Sequence, residues 1–171
     1  MPDNIIAEIG TDRLGAVRDL AYRIWPECYA GVLPAERIGP MLDEIYAPAT
    51  LEADIVARGH RFWLASAGDV PLGFASAYRE SERIWLKKLY VLADQRGWGL
   101  GGRLVGAVLA GFPGAASLGL YVNDGNAPAI AWYKSHGFEV EAHVPVRMGP
   151  FAFMDYVMSR PLSRVWPRGP L

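Results

Sequence analysis

The chain has 171 residues, of which 51% are apolar and 20% charged, and its 17 basic and 18 acidic residues nearly cancel. This length suits one ordinary domain with a full hydrophobic core, and the composition excludes an intrinsically disordered chain. The near-zero net charge gives no electrostatic reason to expect a nucleic acid or an anionic membrane as a partner.

The first residues lack the features of a signal peptide, because residues 1–10 carry acids and no long apolar run. No apolar stretch approaches the roughly 20 residues that a membrane-spanning helix needs. The single cysteine, Cys28, excludes an internal disulfide bond. We therefore expect a cytoplasmic protein in a reducing environment.

Three helices are predicted before residue 60. Apolar residues recur with the period of a helix from Arg13 to Trp25, and Pro26 is expected to end this helix. The same period appears from Pro34 to Tyr46 and from Ala49 to Arg58, where Gly59 follows. The first regular element is thus predicted to be a helix.

Strands and two further helices are predicted after residue 60. Three successive strands are expected at Arg61–Ala67, Pro71–Tyr78 and Arg83–Leu92. The later elements are two helices (Gly101–Phe112, Ala127–His136) and three strands (Ser117–Val122, Phe138–Val144, Phe151–Ser159). This order indicates an α+β (mixed α/β) fold rather than a regular doubly wound sheet. One domain is expected over residues 1–160, and the proline-rich tail 161–171 is expected to be loose.

The most distinctive motif is the glycine-rich turn from Gln95 to Arg103, which lies between an apolar strand and a helix. Its glycines let successive backbone N–H groups converge, and the following helix adds unpaired N–H groups and the positive end of its dipole. Arg96 and Arg103 can bind phosphate oxygens through their guanidinium groups. The four glycines are Gly97, Gly99, Gly101 and Gly102. The motif therefore predicts a binding site for a diphosphate.

The turn also spells the G-x-G-x-x-G dinucleotide motif through Gly97, Gly99 and Gly102, with Asp124 after the next strand. Three features argue against that assignment. Three hairpin-like strands precede the motif. Gln95-Arg96 places a charge before the first glycine, where a dinucleotide-binding strand normally runs straight into glycine. Too few elements follow the motif to complete the second half of such a sheet. A P-loop is excluded because no Gly-Lys-Ser/Thr follows.

These residues resemble the GNAT superfamily of N-acetyltransferases. The run Arg96-x-x-Gly99-x-Gly101 matches the superfamily pattern Q/R-x-x-G-x-G/A, and Leu89-Tyr90-Val91 resembles the superfamily's fourth strand. A second signature with matching spacing comprises Leu120, Val122, Asn126, Ala129, Ile130, Tyr133, Gly137 and Phe138. Together the signatures cover roughly residues 83–140. Ile24–Glu27 and Met154–Met158 are loosely similar to a bacterial subgroup that resembles spermidine/spermine acetyltransferases.

The resemblance implies the GNAT fold, in which a mostly antiparallel, twisted sheet has helices on both faces and splays open between its fourth and fifth strands. It implies acetyl-CoA as the cosubstrate and no metal. The diphosphate would lie on the N–H groups of the four glycines, assisted by Arg96 and Arg103. The pantetheine arm would bond the backbone of Leu89 and Val91 in the gap, with Asn126 on its other side.

The resemblance also implies direct attack of a neutral amine on the acetyl carbonyl. The backbone N–H of Val91 can polarise that carbonyl, and Tyr133 can protonate the departing thiolate. The general base stays open. Lys87 occupies the strand position where similar proteins often carry Glu or His, and Glu27, Glu80 or water are the alternatives.

The implied acceptor is a primary amine of a small molecule, polyamine-like for example, or of a peptide, and a homodimer is compatible with the family. The aromatic residues expected to line the acceptor pocket are Trp25, Tyr29 and Tyr46. The acids that could attract a cationic amine are Glu27, Asp43 and Glu44. Two other functions stay open, a non-catalytic CoA-binding module and a nicotinamide-binding oxidoreductase.

Overall fold

The computed structural model describes residues 3–167. In that range the strands are β1 (Asn4–Ile9), β2 (Arg61–Ala67), β3 (Val70–Glu80), β4 (Arg83–Val91), β5 (Ser117–Asn123), β6 (Glu139–Met148) and β7 (Phe151–Pro161). The helices are α1 (Leu14–Cys28), α2 (Ala35–Ile45), α3 (Pro48–Val56), α4 (Leu100–Gly111) and α5 (Ala127–Ser135). Every element predicted after residue 60 is present, with its boundaries shifted by a few residues at most.

The strands form one sheet in the order β1-β2-β3-β4-β5-β7-β6. Every neighbouring pair is antiparallel except β4 and β5, which run parallel. These two strands pair only from Arg83↔Ser117 to Leu86↔Leu120 and then separate. The structure confirms the predicted mixed fold and the splay between the fourth and fifth strands.

Helices cover both faces of the sheet, as predicted. On one face, Leu104, Val105 and Val108 of α4 are fully buried against Leu118 and Leu120 of β5. On the other face, the buried side chains of α1, α2 and α3 pack against β2 and β3, and Val17, Leu20, Leu42, Phe62 and Phe74 are among them. Burial of each such side chain contributes about 1.5–3 kcal/mol, so these two cores fix the helices on the sheet.

The first element is strand β1, so the prediction that the chain begins with a helix is wrong. β1 lies at the edge of the sheet and pairs antiparallel with β2, with Asn4 opposite Ala67 and Ile9 opposite Phe62. Its strand conformation depends on a partner more than 50 residues away, and only half of an edge strand's backbone groups are paired. The local sequence pattern is therefore a weak signal.

Pro26 does not end α1, which continues to Cys28 and corrects the predicted boundary. Ile24 and Trp25 are buried just before the proline. The N–H group of Tyr29 donates to the Trp25 carbonyl at 2.9 Å and closes the last turn. Packing of this turn outweighs the single backbone hydrogen bond that proline cannot make.

An ion pair joins β4 to β6 at the closed end of the splay. Arg83 donates two hydrogen bonds to the Glu141 carboxylate, at 2.9 and 2.6 Å, and a third to the Ser117 hydroxyl at 3.0 Å. The Ser159 hydroxyl also donates to Glu141, at 2.7 Å. The Arg83 guanidinium, with help from Ser159, lowers the pKa of Glu141 to about 2. These bonds tie together the four strands β4, β5, β7 and β6.

The loose tail predicted for 161–171 falls partly on residues 168–171, which lie outside the described residues. Within the described part, the Trp166 indole N–H donates to the Gly102 carbonyl at 2.7 Å, and the Arg160 guanidinium lies over the Trp166 ring. This segment therefore contacts α4.

Across residues 3–167, none of the helices combines the length and apolarity needed to cross a membrane.

Candidate functional site

The separation of β4 and β5 opens a cleft of about 1580 Å³. Beyond the last pair, Leu86↔Leu120, its two walls are formed by residues 87–91 of β4 and residues 121–123 of β5. The glycine-rich turn closes one end, and the N-terminal helices line the other. The predicted site residues in the cleft lining are Leu89, Val91, Arg96, Gly97, Gly99, Gly101, Gly102, Asn126 and Tyr133.

The free edge of β4 presents backbone groups to this cleft. The N–H group of Leu92 donates to the Leu72 carbonyl of β3 at 3.0 Å. Backbone groups point to alternate sides along a strand, so those of Leu89 and Val91 point to the opposite edge, toward the gap. The Val91 carbonyl accepts a hydrogen bond from Nε of Arg96 at 3.2 Å. An extended amide chain could therefore pair with this edge as an additional strand.

The glycine-rich turn combines left-handed residues with a helix start. Gly97 has a φ of 82° and Gly99 a φ of 81°, which side-chain-bearing residues rarely adopt. Gly101 and Gly102 lie in the first turn of α4, whose N–H groups have no partner within the helix. A side chain at Gly101 would contact the Trp132 ring at 3.5 Å. The turn can therefore bind an anion through its backbone N–H groups. Because the glycines carry no side chains, they leave room for that anion.

Arg103 is not among the residues that line the cleft. Its guanidinium donates to the Asn4 carbonyl of β1 at 2.9 Å, which fixes the end of the edge strand against α4. Arg96, in contrast, lines the cleft. Its Nε atom donates to the Val91 carbonyl, and this bond does not involve its Nη groups.

Asn126 and Tyr133 lie on the opposite wall, seven residues and about two helical turns apart. Asn126 is buried and caps α5, because its side-chain oxygen accepts from the Ala129 N–H at 3.3 Å. The cap uses only the side-chain oxygen of Asn126, which is also a lining residue of the cleft. Burial raises the pKa of Tyr133, with a smaller effect from Tyr29 and Cys28, so its hydroxyl keeps its proton.

Aromatic side chains line the end of the cleft next to α1 and α2. The rings of Trp25 and Tyr29 lie 4.7 Å apart, and those of Trp25 and Tyr46 lie 5.7 Å apart. The Tyr29 and Tyr90 hydroxyls are joined by a hydrogen bond of 2.7 Å. The buried Trp25 Nε1 and Tyr46 Oη atoms have no hydrogen-bond partner among the described residues. All three aromatic residues predicted for the acceptor wall, Trp25, Tyr29 and Tyr46, thus lie in one group.

Few of the acids that the sequence suggested lie in the cleft. Glu27 lines it and is exposed, whereas Asp43 and Glu44 are not among the lining residues. Glu80 is exposed at the end of β3 and also lies outside the lining. Asp155 of β7 lines the cleft, is half-buried, and has a pKa raised by that burial. Within residues 3–167, no cluster of His, Cys, Asp or Glu side chains could hold a metal ion.

Lysines at two adjacent positions of β4 differ sharply in environment. Lys87 is exposed, whereas Lys88 is only 5% exposed and is also a lining residue of the cleft. Burial lowers the pKa of Lys88 to about 8, although Asp54 acts in the opposite direction. The sequence drew attention to Lys87 and missed Lys88, because the difference follows from a β-bulge and from a distant helix.

The chain was compared with known proteins. The family model described as "Acetyltransferase (GNAT) family" matches residues 18–138. A probable N-acetyltransferase of Mycobacterium tuberculosis is 26% identical, over 73% of this chain and 74% of that protein. An uncharacterized N-acetyltransferase of the same organism is 31% identical, over 88% of this chain and 97% of that protein.

Solved structures share the fold. The PaiA N-acetyltransferase from Thermoplasma acidophilum, in complex with coenzyme A, has a TM-score of 0.78 at 22% identity, covering 93% of this chain and 99% of that one. The ribosomal-protein-S18-alanine N-acetyltransferase from Escherichia coli has a TM-score of 0.71 at 21% identity, covering 95% and 96%. The family match spans more than half of the chain. The chain therefore belongs to the GNAT acetyltransferase family and is an acetyl-CoA-dependent acyltransferase.

Proposed function

We propose that this chain transfers the acetyl group of acetyl-CoA directly to a primary amine of a small molecule or a peptide. The observation that carries the proposal is the gap between β4 and β5, which begins beyond Leu86↔Leu120. It presents a free strand edge on one wall, Asn126 and Tyr133 on the other, and a glycine-rich turn at its end.

The residues at the turn and along β4 fit the cosubstrate. N–H groups of residues 97–102 would hold the diphosphate, and the Nη groups of Arg96 would add charge-assisted hydrogen bonds. The edge of β4 at Leu89 and Val91 would pair with the amide groups of the pantetheine arm. The amide nitrogen of Asn126 would bond the arm from the α5 side. Acetyl-CoA supplies a thioester, an acetyl donor that a neutral amine can attack.

Two groups of the chain would assist the transfer itself. The Val91 N–H group would stabilise the negative charge that develops on the carbonyl oxygen. The Tyr133 hydroxyl would give its proton to the sulfur as the C–S bond breaks. Burial of Tyr133 raises its pKa, which keeps the proton on the hydroxyl until the thiolate forms.

The acceptor would enter between the N-terminal helices and β7. Trp25, Tyr29 and Tyr46 offer it an aromatic wall, and two carboxylates of the cleft, Glu27 and Asp155, offer attraction for its positive charge. Arg147 and Lys87 also line this end. The mixture of charges suits an amine that also carries apolar or anionic groups at least as well as a simple polyamine.

An amine panel would test the proposal. Spermidine, tyramine, free amino acids and a short peptide with a free N-terminus would each be incubated with acetyl-CoA, and released CoA thiol would be measured together with the mass of the product. We expect thiol release that depends on the amine and an equal amount of acetylated amine. Tight acetyl-CoA binding with no amine-dependent release would instead identify a non-catalytic CoA-binding module.

A further inference from the structure

A buried lysine, Lys88, is among the residues that line the cleft. Lys88 is 5% exposed, and its Nζ atom lies 5.5 Å from the centre of the Tyr46 ring and 5.8 Å from that of Phe62. Its nearest carboxylate oxygen is Oδ2 of Asp54, at 3.7 Å, which is longer than a hydrogen bond. Lys88 and Tyr46 both line the cleft, so the ammonium group lies beside an aromatic residue of the predicted acceptor wall.

The groups around Lys88 lie on α3, β2 and β4 and just after α2 and α3. From α3, Asp54 is buried and accepts a hydrogen bond from Arg58 at 2.9 Å. After α3, the His60 Nδ1 atom lies 3.9 Å from Oδ1 of Asp54 and has no hydrogen-bond partner among the described residues. The other neighbours are Tyr46 after α2, Phe62 of β2 and Lys87 of β4.

The backbone places Lys88 where the reaction would occur. The register between β3 and β4 shifts so that Ser76 pairs with Lys88 and Ala77 with Leu86, which leaves Lys87 as the bulged residue. The gap between β4 and β5 opens at the same point, after Leu86. The bulge keeps Lys87 exposed while Lys88 enters the core on the side of α1 to α3. Leu89, the next residue, begins the edge that would hold the pantetheine arm.

We propose that Lys88, in its neutral form, accepts the proton of the acceptor's ammonium group. This inference rests on the proposed function, since it assigns the base of that reaction. Lys88 is the residue that would touch the substrate.

The protons balance in this scheme. Lys88 takes one proton from the ammonium group, which frees the nitrogen lone pair. The C–N bond forms and the C–S bond breaks, and Tyr133 gives its proton to the sulfur. The second proton that the nitrogen loses restores Tyr133. Lys88 then releases its proton to solvent, so one amide, one thiol and one free proton result from each ammonium ion.

The surroundings of Lys88 suit this role better than those of the alternatives. Burial disfavours its charged form, and its pKa of about 8 lies near the pH at which the protein would work, where a general base is most effective. Lys87 is exposed and keeps its side chain in water, and Glu80 lies outside the cleft lining. A fixed positive charge that only binds an anionic acceptor would act in its protonated form, so it would give the opposite pH dependence.

The test compares Lys88→Met and Lys88→Arg with Lys134→Met, a matched change at an exposed lysine outside the cleft lining. For each protein, kcat would be measured from pH 6 to 9.5 with saturating acetyl-CoA and the best acceptor of the amine panel. We expect kcat of the wild type to rise with pH to a plateau with an apparent pKa near 8, and Lys134→Met to keep this profile. Both Lys88 variants should lose at least tenfold in kcat at pH 7.5, and their kcat should no longer rise near pH 8.

A second acceptor separates proton transfer from a structural role. Hydroxylamine is already neutral at pH 7.5 and needs no base for its first proton, so the ratio of wild-type to variant kcat/KM should shrink to within about threefold. The proposal is overturned if the Lys88 variants keep the wild-type rise in kcat near pH 8. It is also overturned if they lose activity equally toward both acceptors. If Lys88→Met fails to fold, Lys88→Arg decides, because it retains the charge and cannot lose its proton. Absence of turnover in the wild type with every amine would reject the proposed function itself.

Discussion

Leu86 of β4 pairs with Leu120 of β5, and this is the last pair that joins the two strands. Both side chains are buried, at 5% and 1% exposed. Arg83 and its bonds to Glu141 hold the other end of this paired segment, at Arg83↔Ser117. The segment that precedes the cleft is thus held by buried core residues at one end and by an ion pair at the other. We therefore expect the cosubstrate to enter a preformed gap, without separating paired strands.

Acetyl-CoA should raise the melting temperature of the protein, and NADH should not. A ligand at about 100 times its Kd adds about 2.7 kcal/mol to the free energy of unfolding, a change that thermal melting detects easily. The glycine-rich turn alone could bind the diphosphate of either ligand, but only a pantetheine arm can pair with the edge at Leu89 and Val91. An equal shift with NADH would contradict the CoA assignment of the cleft.

Replacement of Gly101 with valine should abolish acetyl-CoA binding in a protein that still folds. Gly101 lies in the first turn of α4 and lines the cleft, so a branched side chain would fill space that the diphosphate needs. Gly101→Ala is the matched control, since its methyl group would contact the Trp132 ring at an ordinary 3.5 Å. We expect calorimetry to show a smaller loss for alanine. Affinity of Gly101→Val within a few-fold of the wild type would place the diphosphate elsewhere.

Replacement of Tyr133 with phenylalanine should lower kcat at least tenfold and leave the Kd for acetyl-CoA nearly unchanged. The hydroxyl acts only as the C–S bond breaks, and general acid catalysis typically contributes 10²- to 10⁴-fold. The ring and its contact with Phe138, at 5.3 Å between centroids, are retained. The loss should shrink with a thioester whose thiolate is a better leaving group. A fully active variant would show that water or another residue protonates the sulfur.

The depressed pKa of Lys88 should appear in the pH dependence of stability, independently of activity. Its pKa falls from 10.5 to about 8 on folding, so between these pH values the unfolded chain binds a proton that the folded chain does not. The free energy of unfolding then rises with pH. Relative to Lys88→Met, the wild type should gain on the order of 3 kcal/mol between pH 8 and 10.5.

Chemical denaturation at several pH values would measure this gain. The control is Lys134→Met, because Lys134 is exposed, lies on α5 and does not contribute to the pKa shift of Lys88. The stability difference between that control and the wild type should stay constant over the same range. A constant difference for Lys88→Met as well would mean that Lys88 titrates alike in the folded and unfolded chains.

Replacement of Glu141 with glutamine should lower stability at neutral pH and have a much smaller effect at pH 2.5. The pKa of Glu141 falls from 4.5 to about 2 through its bonds with Arg83 and Ser159, so its contribution is present above pH 4.5 and lost as the pH falls to about 2. The carboxylate is 40% exposed, and solvent screening limits the effect to about 1 kcal/mol. Glu139→Gln, an exposed change on the same strand, is the control for melting measured at pH 7 and pH 2.5.

The parts of the fold that follow from local pattern could be predicted from the sequence. Strands β2 to β4 and helices α4 and α5 carry their own periodicity and turn residues, and their predicted positions are confirmed. Strand β1 could not be predicted, because its conformation depends on pairing with β2 across more than 50 residues. The end of α1 was also misjudged, since the packing of Ile24 and Trp25 outweighs the local effect of Pro26.

The same division applies to the candidate site. The glycine-rich turn is contiguous in the chain, so its anion-binding character could be inferred from residue types alone. The contrast between Lys87 and Lys88 could not, because it depends on a one-residue shift in strand register. The environment of Lys88 depends further on Asp54, which lies on α3 and is 34 residues away in the chain. No local pattern connects these two residues.

The contact between Trp166 and Gly102 makes the tryptophan fluorescence of the protein sensitive to the state of the glycine-rich turn. The indole N–H is held at 2.7 Å by a carbonyl in the first turn of α4, next to the turn that would receive a diphosphate. Indole emission depends on the electric field around the ring, and a bound anion at a helix N-terminus changes that field. Trp98, which is 61% exposed on the same turn, is placed to respond as well. Intrinsic fluorescence therefore offers a label-free signal for the binding of a ligand at the glycine-rich turn.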